Sequence, residues 1–379
     1  KPAYQAYKRS SGRAGPQLGQ SACHPTNGLD ALFFPKKRYH SNLQLGRRPG
    51  VSLTTCAVKK IGIIGIGKLG LCLALELERA GFEVTGVDLD PEYVDQLNNR
   101  SLNSPEPGLS DYLKNAEKFR AATDLRSVLQ DDISMLFVLV PTPDAPNGGY
   151  DHSYIDALSH ELISFGRRDA EVHLVVGCTT LPGYCDQLAQ RLALYHYSVS
   201  YKPEFVAQGT ILQDMEQPDI VLIGESDAKS GQEIQRVFER VCKNKPAFHR
   251  MDRLSAEICK LATNCFLTTK ISFANSIGDL ALRSGGDPAK ILAAIGGDSR
   301  IGSKYLRYGF GFGGPCFPRD NRALNHFARS RQFDLLLSQA TDAVNNQHLH
   351  FQFEHWMQNN APEDVIEFDS VAFKKGSVS

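Results

Sequence analysis

The chain is 379 residues long, room for two ordinary domains and the start of a third. Apolar residues make up 42% and charged residues 22%, and 42 Lys and Arg balance 42 Asp and Glu. This balance excludes a globally basic nucleic-acid binder and a strongly acidic disordered chain. The neutrality is a sum over two unlike pieces. Residues 1–60 hold eleven Lys or Arg and one acid, Asp30, which leaves 31 basic and 41 acidic residues for the remainder.

Residues 1–59 show neither helical nor strand period, and Arg, Ser, Gly and Pro are scattered through them. They are expected to form a disordered basic extension, with a targeting segment or a nucleic-acid or lipid contact as alternatives. No apolar run approaches the roughly 18 residues that span a bilayer. Nine cysteines without a C-x-x-C pair suggest reduced thiols in a cytoplasmic protein. Neither nucleic acid nor membrane is expected as a partner of the main body.

From Lys60 an apolar run of strand type leads into Gly65-Ile66-Gly67-Lys68-Leu69-Gly70. An apolar helix from Leu71 to Ala80, a stop at Gly81 and a second strand from Glu83 to Asp88 complete a βαβ unit. The first two glycines let the backbone turn and approach a pyrophosphate, and Gly70 permits close helix–strand packing. The helix start presents free N–H groups and a partial positive charge to phosphates. Asp88, eighteen residues after Gly70, is placed to accept hydrogen bonds from an adenosine ribose. The acidic run that follows, Leu89-Asp90-Pro91-Glu92-Tyr93, would repel a 2′-phosphate, so NAD is expected in preference to NADP.

Strand-like runs continue at Ile133–Val140, Val172–Gly177, Tyr197–Tyr201 and Ile220–Gly224. Helical segments at Ser153–Phe165, Tyr184–Leu194 and Glu233–Val241 alternate with them. The alternation predicts an α/β fold with an open, mostly parallel sheet of Rossmann type. Ligands bind such sheets where loops leave the C-terminal strand ends. Pro141-Thr142-Pro143, Cys178–Gly183 and Lys202–Phe205 are the candidate loops, though each could be an ordinary turn.

Leu254 to Ser284 reads as one long helix, free of Pro and Gly until Gly278. Glu257, Lys260 and Asn264 share one face of it, which suggests polar recognition; a Glu257–Lys260 surface pair is the plain alternative. Gly309-Phe-Gly-Phe-Gly-Gly-Pro-Cys-Phe-Pro-Arg-Asp320 then brings Cys316 to the start of another helix. Free N–H groups there are expected to lower the thiol pKa. Asp320 lies within the same turn, where a plain role would be to complement the helix dipole. The other cysteines of the main body are expected to be buried and inert. His348, His350 and His355 do not share a helix face, and no metal is expected.

Several motifs together resemble the UDP-glucose/GDP-mannose dehydrogenase family. They are Gly65–Gly70 with Asp88, Pro105–Leu109, Val140–Pro143, Thr179–Pro182, Pro203–Phe205, Lys260 with Asn264, Asp298–Gly302, and Gly311–Asp320, in family order. The Arg-Ile-Gly and Phe-Gly-Gly-x-Cys-Phe-Pro patterns look most like the UDP-glucose branch. The resemblance implies a four-electron oxidation of a nucleotide sugar, UDP-glucose favoured, to the uronic acid with two NAD⁺ in succession. Cys316 matches the nucleophile that holds the aldehyde as a thiohemiacetal and then a thioester. Lys260 and Asn264 match groups that stabilise the oxyanion. Asp320 and Thr180 match groups that position water or handle protons, and Glu204 an acid that assists. Thr142 and Thr180 would flank the cofactor. Glu204, Lys260, Asn264, Arg300, Tyr305, Arg307, Gly313 and Lys374 would contact the nucleotide sugar, with Arg300 reaching toward a neighbouring subunit. The long central helix would pair subunits as a homodimer.

Gln208 and Tyr93 depart from the family pattern, at positions where a glutamate and an arginine are frequent. Val371–Gly376 resembles the first strand and loop of a third domain, and the chain then stops, so that domain is expected to be truncated. The expected division is an extension at 1–59, an NAD-binding Rossmann domain at 60–248, a central helical dimerisation domain with the catalytic loop at 249–345, and the start of a C-terminal domain at 346–379. Two rivals stand beside this. Relatives of 6-phosphogluconate dehydrogenase share the unit and the long helix but use no cysteine nucleophile. A truncated homologue could bind NAD or a partner chain without turnover. GDP-mannose or UDP-N-acetylmannosamine are the alternative substrates.

Overall fold

The computed structural model describes residues 58–129, 132–361 and 364–365. Expectations for residues 1–57, for Val371–Gly376 and for Lys374 lie outside the described residues.

The first half alternates strands and helices: β1 (Lys60–Ile64), α1 (Lys68–Arg79), β2 (Glu83–Val87), α2 (Pro91–Asn98), α3 (Leu109–Asn115), β3 (Phe119–Ala122), α4 (Arg126–Leu129), β4 (Met135–Val138) and α5 (Ser153–Ser164). It continues with β5 (Val172–Val176), α6 (Tyr184–Leu192), β6 (Tyr197–Tyr201), α7 (Ile211–Glu216), β7 (Ile220–Glu225), α8 (Ala228–Val241) and β8 (Ala247–Asp252). Helices follow: α9 (Arg253–Arg283), α10 (Pro288–Gly296), α11 (Phe317–Ser330) and α12 (Leu336–Asn359).

The eight strands form one sheet in the order β3-β2-β1-β4-β5-β6-β7-β8. All neighbours are parallel except β6 and β7, which meet antiparallel at Tyr201 and Gly224. The central strands are buried on both faces, as parallel sheets covered by helices require. Successive side chains feed two cores, following the two-residue period of a strand. Ile61, Ile63, Met135, Phe137 and Val175 enter one, with α1 and α8. Ile64, Leu136, Val138, Leu174 and Val176 enter the other, with α5 and α6.

Two features of the fold were not predicted. β3 and β8 are edge strands, and β8 is only partly buried, because its alternation carries His249, Arg250 and Asp252 instead of apolar residues. Helix α8 starts five residues before the predicted Glu233, since Asp227 caps the N–H groups of Lys229 and Ser230.

Helix α9 is 31 residues long, about 46 Å at the standard rise, and its ends fall within one residue of the prediction. Asp252, the last residue of β8, caps it by accepting from the Ser255 N–H at 2.8 Å. The sheet therefore ends directly on the helix. α9 packs on β7 and α6 near its start and on α10, α11 and α12 further along. That run brings residues of the sheet loops and of the later helices to one place.

Candidate active site

The first βα turn gives each of its glycines a different task. Gly65 has φ +85°, and a Cβ there would lie 2.8 Å from the Leu139 carbonyl oxygen. A Cβ on Gly70 would lie 2.0 Å from the Gly65 oxygen, so only glycine lets α1 start this close to β1. Gly67, the N-cap, is exposed, and a Cβ on it would meet nothing within 4 Å. No side chain caps the helix, Lys68 is exposed and Leu69 half-buried. An uncapped helix start facing open space fits a pyrophosphate. Ile66 is buried; its carbonyl accepts the Tyr93 hydroxyl at 2.8 Å. Tyr93 thus links the start of α2 to the glycine turn, beside the half-buried Asp88 that follows β2.

The cysteine stands where α9 and α11 meet. Cys316 is the N-cap of α11, exposed as a residue although protein atoms crowd its thiol. One turn on, Asp320 is 1% exposed. Its Oδ1 accepts the Tyr150 hydroxyl at 2.6 Å and its Oδ2 accepts Asn264 Nδ2 at 2.6 Å. Lys260, buried one turn before Asn264 on α9, donates its Nζ to the Glu204 carbonyl oxygen at 2.7 Å and lies 4.3 Å from the Phe205 ring centre. Arg319 donates to the Thr142 carbonyl at 3.0 Å and lies over the Tyr150 ring. Lys260, Asn264, Asp320 and Cys316 are therefore together, as the spacing on α9 and the loop motif suggested.

The thiol differs from its expectation. Burial raises the Cys316 pKa above the ordinary value, and Asp320 raises it further; Arg319 and Lys260 pull it down without reversing the shift. Burial, with the Asp320 charge second to it, overrides the lowering expected from the helix start. Lys260 is shifted in the opposite sense, lowered by burial against the attraction of Asp320, Cys316 and Glu204. Burial first, then one acid and two cations, thus set the thiol's charge.

Two other candidates are engaged elsewhere. The Thr180 side chain is fully buried and donates to Glu257 Oε1 at 2.8 Å. Glu257 also accepts the Gly183 N–H at 2.6 Å and the Cys185 N–H at 2.9 Å, so it caps α6 instead of pairing with Lys260 at the surface. The Glu204 carboxylate pairs with Lys202, itself buried with its Nζ 3.8 Å from the Phe238 ring centre. The Pro105–Leu109 motif has a positional use: Glu106 accepts from Gly209 and Ile211 at 2.9 and 2.6 Å, fixing the loop that carries the half-buried Gln208.

The glycine loop before Cys316 is held by helix side chains that spacing did not single out. Asn345 of α12 accepts the Phe312 N–H at 2.8 Å and donates to its carbonyl at 3.0 Å. Asn275 of α9 accepts the Gly309 N–H at 3.2 Å. His348 faces the Gly309 carbonyl at 2.6 Å and Asp279 at 2.9 Å. Gly313 lies half-buried in this loop. Tyr305 adopts a left-handed φ of +62°, uncommon for a non-glycine residue, and turns its ring edge toward Phe317. Arg307 is exposed, and Arg300 is exposed and paired with Asp298 at 2.6 Å.

Comparison with known proteins agrees with this arrangement. The profile of the UDP-glucose/GDP-mannose dehydrogenase family, NAD binding domain, matches residues 59–242, and that of the family's central domain matches 254–347. A UDP-glucose 6-dehydrogenase of Pseudomonas aeruginosa is 30% identical over 332 residues, 84% of this chain and 73% of the relative. A GDP-mannose 6-dehydrogenase of Pseudomonas syringae pv. syringae is 33% identical over 286 residues, 72% of this chain and 64% of the relative. The solved UDP-glucose dehydrogenase of Pyrobaculum islandicum superposes with a TM-score of 0.71 at 31% identity, covering 79% of this chain and 70% of that one. The chain belongs to the UDP-glucose/GDP-mannose dehydrogenase family and is an NAD-dependent nucleotide-sugar dehydrogenase.

Proposed function

We propose that the chain oxidises the primary alcohol of UDP-glucose to the uronic acid, with Cys316 as the nucleophile. The observation that carries this reading is the placement of Cys316 at the start of α11 beside Lys260, Asn264 and Asp320. Gly65–Gly70 and Asp88 would hold NAD, with Thr142 and Thr180 beside it, and NAD supplies the hydride acceptor. Cys316 Sγ would add to the aldehyde carbon formed by the first hydride transfer. Loss of a second hydride to a second NAD⁺ would turn that thiohemiacetal into a thioester, and water would then cleave the C–S bond to release the acid and return the thiol. Lys260 and Asn264 stabilise the oxyanion, because a buried cation and a fixed amide donor need no reorganisation as charge develops. Asp320 handles the proton of the thiol or of the attacking water. Glu204 anchors Lys260 through its carbonyl and adds charge nearby.

Tyr305, Arg307 and Gly313 would contact the nucleotide sugar, and Arg300, paired with Asp298 in the single chain, would reach a neighbouring subunit's site in a homodimer. Phe266, Phe273 and Leu280, seven residues apart on α9, are exposed and supply an apolar stripe for a homodimer. Each of the seven cysteines among the described residues is free, which suits a nucleophilic thiol in the cytoplasm. No described helix is long and apolar enough to cross a membrane.

The test follows NADH formation with UDP-glucose, GDP-mannose and UDP-N-acetylmannosamine, using this chain and a version extended past Ser379. Turnover of UDP-glucose and its loss in Cys316→Ser is the expected result. Failure of the extended version on all three sugars would overturn the activity, and uronate formation by Cys316→Ser at the parent rate would overturn the covalent step.

A further inference from the structure

Tyr150 closes the loop that leaves the C-terminal end of β4, and an antiparallel bridge pairs it with Asp144. The residue is 5% exposed, and its hydroxyl donates to Asp320 at 2.6 Å. Burial and the neighbouring carboxylate push the hydroxyl pKa far up, so the proton stays on the tyrosine and the bond has one direction. Arg319 lies with its guanidinium 5.0 Å from the Tyr150 ring centre and donates to the Thr142 carbonyl of the same loop. A cation, an aromatic hydroxyl and an amide thus surround one buried acid, with each oxygen of that acid accepting a donor.

We propose that Tyr150 is a positioning residue for Asp320, fixing its carboxylate beside Cys316 and tying the 141–150 loop to the start of α11. The proposal rests on the reading of Asp320 as the acid that handles protons at the cysteine. A carboxylate with one donor on each oxygen keeps one orientation, and its charge is partly spread into those donors. Removing one donor concentrates negative charge near the thiol. The other charged groups that act on Cys316 are Arg319 and Lys260, both of which favour the thiolate.

Alkylation of Cys316 by iodoacetamide across pH, read by peptide mass mapping, tests this without requiring turnover. Tyr150→Phe keeps the ring and loses only the hydroxyl. Its alkylation midpoint is expected to rise by roughly half a unit, and that of Asp320→Asn to fall by roughly one unit. The double variant should match Asp320→Asn, since Tyr150 acts through the acid. In steady state, Tyr150→Phe should lower kcat about ten-fold with KM values nearly unchanged.

A purely structural tyrosine would instead speed alkylation at every pH and leave the midpoint in place, which overturns the proposal. So would additive shifts in the double variant, or a parent-like midpoint in Tyr150→Phe while Asp320→Asn moves. A parent-like midpoint in Asp320→Asn would sink the reading of Asp320, and the role of Tyr150 with it. Should Asp320→Asn not fold, the midpoint of Tyr150→Phe alone decides.

Discussion

Asn264 and Asp320, 56 residues apart in sequence, meet at 2.6 Å, so that one amide joins the buried faces of α9 and α11. The bond is the link between the long helix and the cysteine loop. It also makes a buried carboxylate tolerable, because an acid 1% exposed must have its lone pairs satisfied.

Replacing Asn264 with Leu removes the donor to Oδ2 and leaves that carboxylate with the Tyr150 hydroxyl and the Arg319 charge, both at Oδ1. The cost is expected to be about 2 kcal/mol, the range for an orphaned buried charged acceptor. Urea denaturation should show a lower midpoint for Asn264→Leu. The double variant Asn264→Leu/Asp320→Leu should recover part of the loss, since removing both partners costs less than removing one. Parent-like stability in Asn264→Leu would contradict the description.

Gly67 and Gly70 separate binding from folding. Gly70→Ala forces a Cβ to 2.0 Å from the Gly65 oxygen, so thermal unfolding should fall by several degrees with or without NAD. Gly67→Ala meets no protein atom within 4 Å, so its unliganded melting temperature should stay near the parent's. Its added methyl points into the space proposed for the pyrophosphate, and the stabilisation by NAD should shrink. Equal NAD-dependent shifts in the parent and Gly67→Ala would remove the phosphate from that turn.

The contrast between these sites shows what could be read in advance. α9 was legible to within one residue, because an uninterrupted run without Pro follows a capping Asp252. Strands β1 and β2 announced themselves through their β-branched residues, and β6 through the alternation of Tyr and Val with Ser. β8 did not, because an edge strand needs only partial burial and carries charges. Lys260, Asn264, Cys316 and Asp320 could be named because helix spacing and a glycine-rich motif mark them. Tyr150 could not, and Glu257 was named without its partners at the start of α6. Their partners lie 170 and 77 residues away, and a hydrogen bond between distant loops leaves no period in the sequence. The thiol pKa failed for a related reason: the helix start is visible in the sequence, whereas the burial that outweighs it is not.

Lys260 gives a pH prediction of definite sign. Its ammonium lowers the Cys316 pKa, so Lys260→Met should raise it further. The thiolate fraction at pH 8 then falls, and alkylation there should slow by roughly five-fold. The rate at a pH well above both midpoints should approach the parent's. A slower rate at every pH would indicate lost access to the thiol instead of lost charge.

His173 should govern part of the acid stability. It sits on β5 at 5% exposure, its Nε2 2.8 Å from Ser200 Oγ, and burial lowers its pKa to about 4. In the unfolded chain the ring titrates near about 6.5. Between those values the unfolded state binds more protons, so stability falls as pH drops from about 6.5 toward 4. Above that window His173 is neutral in both states and contributes no slope. The loss attributable to it is on the order of 3 kcal/mol at the acid end. Carboxylates titrate over part of the same range, so the measurement must be a difference between two proteins. His173→Asn can still bond Ser200 but cannot titrate, and urea denaturation at pH 7, 6, 5 and 4 should show a shallower decline for it. Parallel declines in parent and variant would mean that the buried ring does not couple folding to protons.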